Sequence, residues 1–294
     1  MTAARASHPR TAEKEKIALV TGASAGIGLH TALGLAHAGM RVIVAGRDPR
    51  RTKAAQRFIA GRIPGAQVET ALADFSSLAA VRALAADILG RHERLDVLVN
   101  NAGLISPRYA ESSDGYELTI AVNHLAPFLL THLLLDRLSA SAQGGEISRI
   151  VTVASIAHKG AKLDPATMTK PKNWTPLSAY GGSKLANILS TRALAHRLDP
   201  ATVIAACLHP GVIATDIGDR AGTLAGLGWR LLKPFLAGPD KGAETSIFLA
   251  TTPDPVPFHG AYLIGKAIAE PDPVARDDTL GEALWQESGR LVGL

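Results

Sequence analysis

The chain predicts an α/β fold, a single doubly wound parallel sheet of about seven strands with helices on both faces. Three observations lead there. Short apolar, often β-branched runs alternate with longer amphipathic stretches from Ile17 to Ile264, the pattern of repeated strand–helix–strand crossovers. The glycine turn Thr21-Gly22-Ala23-Ser24-Ala25-Gly26-Ile27-Gly28 joins the first strand-like run to the first helical one. Across 294 residues no break separates two compositions, so residues 16–294 read as one domain.

Each element has a local cause. Ile17–Thr21 is an apolar first strand, and Gly26–Ala38 a helix that Gly39 ends in a C-terminal capping place. Arg41–Ala45 is a second strand, Thr52–Ile63 a helix, and Gln67–Leu72 a third strand running to Asp74. Leu78–Arg91 is helical, with Ser76 or Ser77 able to cap it. Asp96–Asn100 makes the fourth strand. The amphipathic stretch Tyr116–Leu138 predicts a long helix bent near Pro127, where an intrahelical hydrogen bond is lost. Arg149–Ala154 is β-branched almost throughout, as a strand covered on both faces should be. Helix Ala179–Leu198, strand Val203–Leu208, helix Lys241–Ala250 and strand Ala261–Ile264 complete the series. The order implies a Rossmann-type sheet with right-handed crossovers, whose ligands lie at the carboxyl ends of the strands. Two loop-rich segments near 158–178 and 216–239 read as insertions on that domain.

Bulk properties remove several functions. The net charge of +5 is spread along the chain among many acidic residues, with no basic helix or aromatic stacking motif to bind nucleic acid. Cys207 is the single cysteine, which excludes an intrachain disulfide and fits a reducing compartment. Its apolar neighbours predict a buried thiol. Residues 1–15 lack the apolar core of a secretory signal and are expected to be a disordered tail. The apolar runs Phe128–Leu130 and Leu133–Leu135 are interrupted by Thr131, His132, Asp136 and Arg137, so no transmembrane segment is expected and the chain reads as cytoplasmic. Ten histidines show neither an H-E-x-x-H pattern nor Cys/His ligand spacing, so no metal site is expected.

The chemistry concentrates in a few places. Between a strand and a helix, a glycine turn offers bare backbone N–H groups and a positive helix end to a pyrophosphate. Much later, Tyr180 and Lys184 stand one helical turn apart, which places a phenol and an ammonium on one face. A free phenol, with a pKa near ~10, is a poor acid at neutral pH, and a nearby cation lowers that value. After the second strand come Arg47 and Asp48, then Arg50, Arg51 and Lys53. A base in that place accommodates a ribose 2′-phosphate, whereas an acid would bind ribose hydroxyls. The cluster reads as a phosphate site favouring NADP(H) over NAD(H), or as a solvated helix start. Asp48 could pair with Arg47 or bind the ribose itself.

The spacing Gly22-x-x-x-Gly26-x-Gly28 resembles the glycine turn of short-chain dehydrogenases/reductases. So do Asn100-Asn101-Ala102-Gly103 after the fourth strand, Asn123 in the following helix, Ser155 after the fifth strand, Tyr180-x-x-x-Lys184, and Pro210-Gly211-Val212-Ile213-Ala214-Thr215. Asn123-His124-Leu125-Ala126-Pro127-Phe128, Ser183-Lys184-Leu185-Ala186-Asn187 and Leu208-His209-Pro210-Gly211 resemble the branch containing retinol dehydrogenases and related carbonyl reductases.

The resemblance implies an oxidoreductase interconverting a carbonyl and an alcohol. Tyr180 would be the acid or base, Ser155 the donor to substrate oxygen, Lys184 the group lowering the tyrosine pKa and binding ribose, and Asn123 the end of a proton relay. Cofactor contacts would come from Gly22, Ser24, Ala25, Gly26, Ile27, Gly28, Arg47, Asp74, Phe75, Asn101, Ala102, Gly103, Tyr180, Lys184, Pro210, Gly211, Ile213 and Thr215. For Asp74 an Asx turn is an equal explanation. Substrate would sit between Ser155, Tyr180, the 158–178 insertion and the segment after Thr215. There Leu224, Leu227, Trp229, Leu231, Leu232, Phe235 and Leu236 make an apolar element that reads as a lid, an interface or a membrane-surface helix. Trp174 lines the pocket or anchors its loop. Gly181 and Gly182 inside a helix, at roughly 1 kcal/mol each against alanine, suggest close approach at a subunit interface, and a homodimer or homotetramer is expected. The other class is a cofactor-binding regulator without turnover, whose usual sign would be loss of the tyrosine or lysine. Both are present.

Overall fold

The fold comes from a computed structural model, which describes residues 15–211 and 238–294. Strands β1 (Ile17–Thr21), β2 (Arg41–Gly46), β3 (Val68–Leu72), β4 (Val97–Asn100), β5 (Ser148–Val153), β6 (Val203–His209) and β7 (Tyr262–Ile264) pair in parallel. A two-residue strand β8 (Ala267–Ile268), not expected from the sequence, adds antiparallel to β7. The order β3-β2-β1-β4-β5-β6-β7-β8 reverses direction between β1 and β4. At such a reversal neighbouring crossovers leave on opposite faces and open a crevice at the strand ends. Strands β1, β4 and β6 are buried along their whole length, as their unbroken apolar runs predict.

Helices α1 (Gly26–His37), α2 (Pro49–Arg62) and α6 (Pro239–Thr251) cover one face. Helices α3 (Leu78–Arg91), α4 (Leu118–Ser141), α5 (Pro176–Ala195) and α7 (Asp278–Val292) cover the other. Two helices start earlier than the apolar period suggests, because caps set their starts. Asp48 accepts from the N–H groups of Arg50 and Arg51 with Pro49 in the first turn, and Thr175 forms a capping box with Ser178 ahead of Pro176. Ser77 caps α3.

The bend expected near Pro127 is a π-helical turn over Ala121–Leu125, set between α-helical segments. Pro127 cannot donate to the carbonyl four residues back, and a wider turn absorbs the mismatch. By length and composition α4 could cross a membrane, yet 72% of its most apolar window is buried inside the fold. It is a core helix here. The C-terminal helix α7 was not anticipated, although Asp277 caps it, Leu284 and Val292 share its buried side, and Gly293 ends it at φ +71°.

Candidate active site

The glycine turn divides its three glycines between two tasks. Gly22 turns the chain at φ +64°, and a Cβ there would stand 2.8 Å from the Ala102 Cα. A Cβ on Gly28 would stand 2.4 Å from Asn101 Nδ2 and 2.6 Å from the Gly22 carbonyl oxygen. These positions are small so that β1 and β4 can exit side by side. At Gly26, with φ +57°, an added Cβ meets nothing within 4 Å, so this glycine leaves an open face. Ala25 is the N-cap of α1 and supplies no side-chain acceptor. The N–H groups of Gly26, Ile27 and Gly28, among the orphan donors of any helix start, remain available to an anion. Asn101 braces this turn, its Nδ2 donating to the Thr21 carbonyl at 2.8 Å. Thr21, the first residue of the turn, has a role that spacing does not show: its Oγ1 accepts from the N–H groups of Asn101 and Ala102 at 3.0 Å.

At the end of β2, a Cβ on Gly46 would meet Thr52 Oγ1 at 2.7 Å and the Ser24 Cβ at 3.3 Å, so Ser24 sits directly against this strand end. Arg47 is largely exposed and lies 3.8 Å from Asp74 Oδ2. Asp48 forms no ion pair with Arg47; it caps α2, its Oδ1 accepting from Arg50 N and Arg51 N at 2.8 and 3.0 Å. Those bonds hold its carboxyl below the usual range. Asp74 does form an Asx turn, its Oδ1 accepting from the N–H and hydroxyl of Ser76 at 2.9 and 2.7 Å; the other oxygen is the one facing Arg47. Arg50 and Arg51 occupy the first turn of α2 and have no carboxylate partner among the described residues. Positive charge at a helix N-terminus is unfavourable by itself, and a phosphate between these guanidiniums would offset it. The side chain of Phe75 packs into the core, which leaves its backbone for any ligand contact.

Asn123, Ser155, Tyr180 and Lys184 gather beyond β4, β5 and β6. Asn123 lies in the π turn; its Oδ1 accepts from Leu104 N at 2.8 Å, while its Nδ2 donates to the Leu104 carbonyl at 2.9 Å and to Ser183 Oγ at 3.0 Å. Gly103 is close to both Asn123 and Lys184, an added Cβ standing 3.3 Å from Asn123 Oδ1 and 3.6 Å from Lys184 Nζ. Lys184 is buried, donates to the Val153 carbonyl at 2.8 Å, and lies 5.6 Å from the centre of the Tyr180 ring. Burial brings its pKa down to about 8.

Tyr180 differs from expectation. Burial raises its pKa, and contact with the Ser155 hydroxyl acts the other way. With its Nζ turned to the Val153 carbonyl, the Lys184 ammonium is itself weakened by desolvation. Ser155 Oγ accepts from Ala157 N at 3.2 Å, which makes it the cap of a single 3-10 turn over Ile156–His158. Pro210 and Gly211, at φ +90°, follow β6 on the same side of the sheet. Ile213, Thr215 and the apolar element from Leu224 to Leu236 lie outside the described residues.

The glycine pair in α5 has an intrachain cause. A Cβ on Gly181 would stand 2.8 Å from the Ala157 carbonyl and 3.3 Å from the Ala161 Cβ, and one on Gly182 3.4 Å from the Lys162 carbonyl. The chain leaving Ser155 presses directly on the helix that carries Tyr180, so a subunit interface is not needed to explain either glycine. Trp174 anchors its loop, donating from Nε1 to Glu117 Oε1 at 3.0 Å and meeting the Tyr109 ring edge-on at 5.9 Å. Ile156 and Leu177, flanking the serine and the tyrosine, are both exposed. Cys207 is buried as expected, and burial pushes its thiol pKa up to about 12.

Residues 16–223 match the short chain dehydrogenase family. Human retinol dehydrogenase 13 is 38% identical over 95% of this chain and 85% of its own length. Mouse retinol dehydrogenase 12 is 38% identical over 95% and 87%. A crystal structure of an uncharacterised protein from Mycobacterium paratuberculosis shares 31% identity over 95% of this chain and 93% of that one, with a TM-score of 0.75. The 3-ketoacyl-(acyl-carrier-protein) reductase of Brucella melitensis, solved with NADH, shares 28% identity over 84% and 95%, with a TM-score of 0.63. A metagenomic short-chain oxidoreductase in complex with NADP shares 26% over 86% and 94%, with a TM-score of 0.60.

Proposed function

The chain belongs to the short-chain dehydrogenase family, whose members are NAD(P)-dependent oxidoreductases acting on CH–OH and C=O groups; from that premise we propose an NADPH-dependent carbonyl reductase or alcohol dehydrogenase for an apolar aldehyde, ketone or secondary alcohol. The observation that carries the reading is the meeting of Ser155, Tyr180 and Lys184 beside an open glycine turn with an uncapped helix start. A reduced nicotinamide, when bound, supplies the hydride.

The protein's residues do the rest. The α1 start and Gly26 would hold the pyrophosphate, Ser24, against the end of β2, would contact the nucleotide, and Arg47, with Arg50 and Arg51, would meet a 2′-phosphate. Ser155 donates to the substrate oxygen as negative charge develops there. Tyr180 gives that oxygen its proton, and in the oxidative direction the phenolate takes it back. Lys184, with a pKa of about 8, is poised to exchange a proton near neutrality and to bind the ribose. Asn123 fixes the loop after β4 against α5 through Leu104 and Ser183. The relay outward runs from this corner.

An apolar substrate is supported by the exposed Ile156 and Leu177 beside the reacting groups and by the likeness to retinol dehydrogenases. The test is nucleotide consumption with NADPH and with NADH against a panel of aldehydes, ketones, steroids and retinoids. Turnover with NADPH on apolar carbonyls is expected. Strong preference for NADH removes the role given to Arg47, and turnover confined to polar substrates removes the apolar pocket.

A further inference from the structure

Two histidines grip one peptide bond beside the reacting groups. The peptide joining Ser155 to Ile156 presents its carbonyl to His158 Nδ1 at 2.6 Å and its N–H to His209 Nδ1 at 3.3 Å. His158 is wholly buried, and its Nε2 accepts from the backbone N–H of Asp272 at 3.0 Å. A backbone amide only donates, so Nε2 carries no proton and Nδ1 must be the N–H that donates to the Ser155 carbonyl. The same logic makes Nδ1 of His209 an acceptor. Burial disfavours the charged form of His209, which keeps it able to accept.

From this geometry we infer that His158 and His209 are positioning residues, a clamp that sets the rotation of the Ser155–Ile156 peptide and through it the direction of the Ser155 hydroxyl. Neither ring touches the reacting atoms. The clamp ties Ser155 to two distant segments at once: the end of β6, just before Pro210, and the stretch at Asp272. Asp272 is itself fixed, its carboxylate accepting from Gly160 N at 3.1 Å and Val274 N at 3.2 Å. The Tyr262 ring lies edge-on to His158 at 5.1 Å, closing the remaining side. Ser155 needs such support because it caps a single three-residue 3-10 turn, whose own bond to the Ser155 carbonyl, from the His158 N–H, is long at 3.3 Å. The inference rests on the reading of Ser155 as donor to the substrate oxygen.

Two substitutions separate the bonds of His158. In His158→Asn the side-chain amide takes the place of Nδ1 and still reaches the Ser155 carbonyl; in His158→Gln the longer amide still reaches Asp272 but leaves the Ser155 carbonyl only the 3.3 Å bond from the His158 backbone N–H. We expect His158→Gln to lower kcat for carbonyl reduction by about 10- to 100-fold, the cost of a displaced reacting group, with KM for nucleotide unchanged. His158→Asn should recover most of that loss. Equal kcat in both variants and the unaltered enzyme overturns the clamp, as does equal impairment of both. His209→Leu, which removes the longer bond, should cost less than His158→Gln.

Turnover by the unaltered enzyme tests the oxidoreductase reading separately. Independently of activity, nitrogen-15 NMR of histidine-labelled protein should show His158 protonated on Nδ1 alone, and a crystal structure of His158→Gln should show a rotated Ser155–Ile156 peptide. A proton on Nε2, or an unmoved peptide, overturns the inference even if the enzyme is active.

Discussion

Gly26 opens α1 and Gly181 lies within α5, and an added Cβ meets nothing within 4 Å at the first but the Ala157 carbonyl at 2.8 Å at the second. The residue type is the same, and its use is opposite. On the β1 side of the crevice glycine keeps protein away, so that bare N–H groups can recognise an anion. On the β5 side glycine lets protein in, so that the backbone leaving Ser155 can press on the helix bearing Tyr180 and Lys184. The first region leaves main-chain N–H groups bare beside Gly26, while Gly22 and Gly28 admit no larger side chain. The second works through a few side chains whose directions are fixed by the chain's own backbone atoms.

Substitutions sharpen this contrast, the largest effect coming from the β5 side. Tyr180→Phe should lower kcat by about 10²- to 10⁴-fold, the usual weight of a general acid, while nucleotide affinity measured by fluorescence titration stays nearly intact; an active variant removes the proposed acid. Arg47→Ala should weaken NADPH binding by about 10- to 150-fold, the equivalent of losing a charged hydrogen bond, and leave NADH binding alone. Comparable loss for both nucleotides would assign Arg47 a general surface role. Gly181→Ala should cost about 1–3 kcal/mol in urea unfolding, since the new methyl overlaps a backbone oxygen, and lower kcat along with it. Gly26→Ala should cost only about 1 kcal/mol, from its left-handed backbone, with the functional loss appearing in nucleotide affinity. If the two glycine variants exchange these signatures, the division of labour drawn here is wrong.

A pH measurement probes the support behind the β5 side. His124 is fully buried, its Nε2 2.8 Å from Ser288 Oγ, and burial lowers its pKa to about 3. An unfolded histidine titrates near 6.5, so between these values the unfolded chain binds a proton that the folded chain does not. Stability from this group is therefore complete above pH 6.5 and lost as pH falls toward 3, at a slope of up to about 1.4 kcal/mol per unit. Urea unfolding at pH 7 and pH 5 should show the loss, and His124→Asn should reduce the slope.

Much of the fold was legible because parallel sheets bury their strands on both faces, which makes β1, β4 and β6 unbroken apolar runs. The starts of α2 and α5 were misread for a local reason: apolar periodicity begins a turn after Asp48-Pro49 and Thr175-Pro176, where capping and not burial sets the boundary. The helix α7 followed the last sheet signal and escaped notice, although its Asp277 cap and terminal Gly293 were in the sequence to be read. At the site, residue identities were legible and their bonding was not. Asp48 became a helix cap, Lys184 turned to the Val153 carbonyl, and His158 acquired partners at Ser155 and Asp272, more than a hundred residues apart. Such partners are set by tertiary packing, which spacing along the chain does not encode.

Helix α7 reaches back across the molecule: Trp285 packs edge-on against Phe128 at 4.9 Å, Ser288 meets His124, Tyr116 donates to the Leu291 carbonyl, and Arg82 holds the Gly293 carbonyl at 3.2 Å. During synthesis the strands of the crevice leave the ribosome well before this segment does. Until residues 278–293 emerge, Phe128 and His124 lack their cover, and the nascent chain exposes an apolar seam behind its reacting groups. Emergence of residues 278–293 is thus also the step that seals this part of the interior, and a chain lacking that helix would keep its sheet and leave the seam bare.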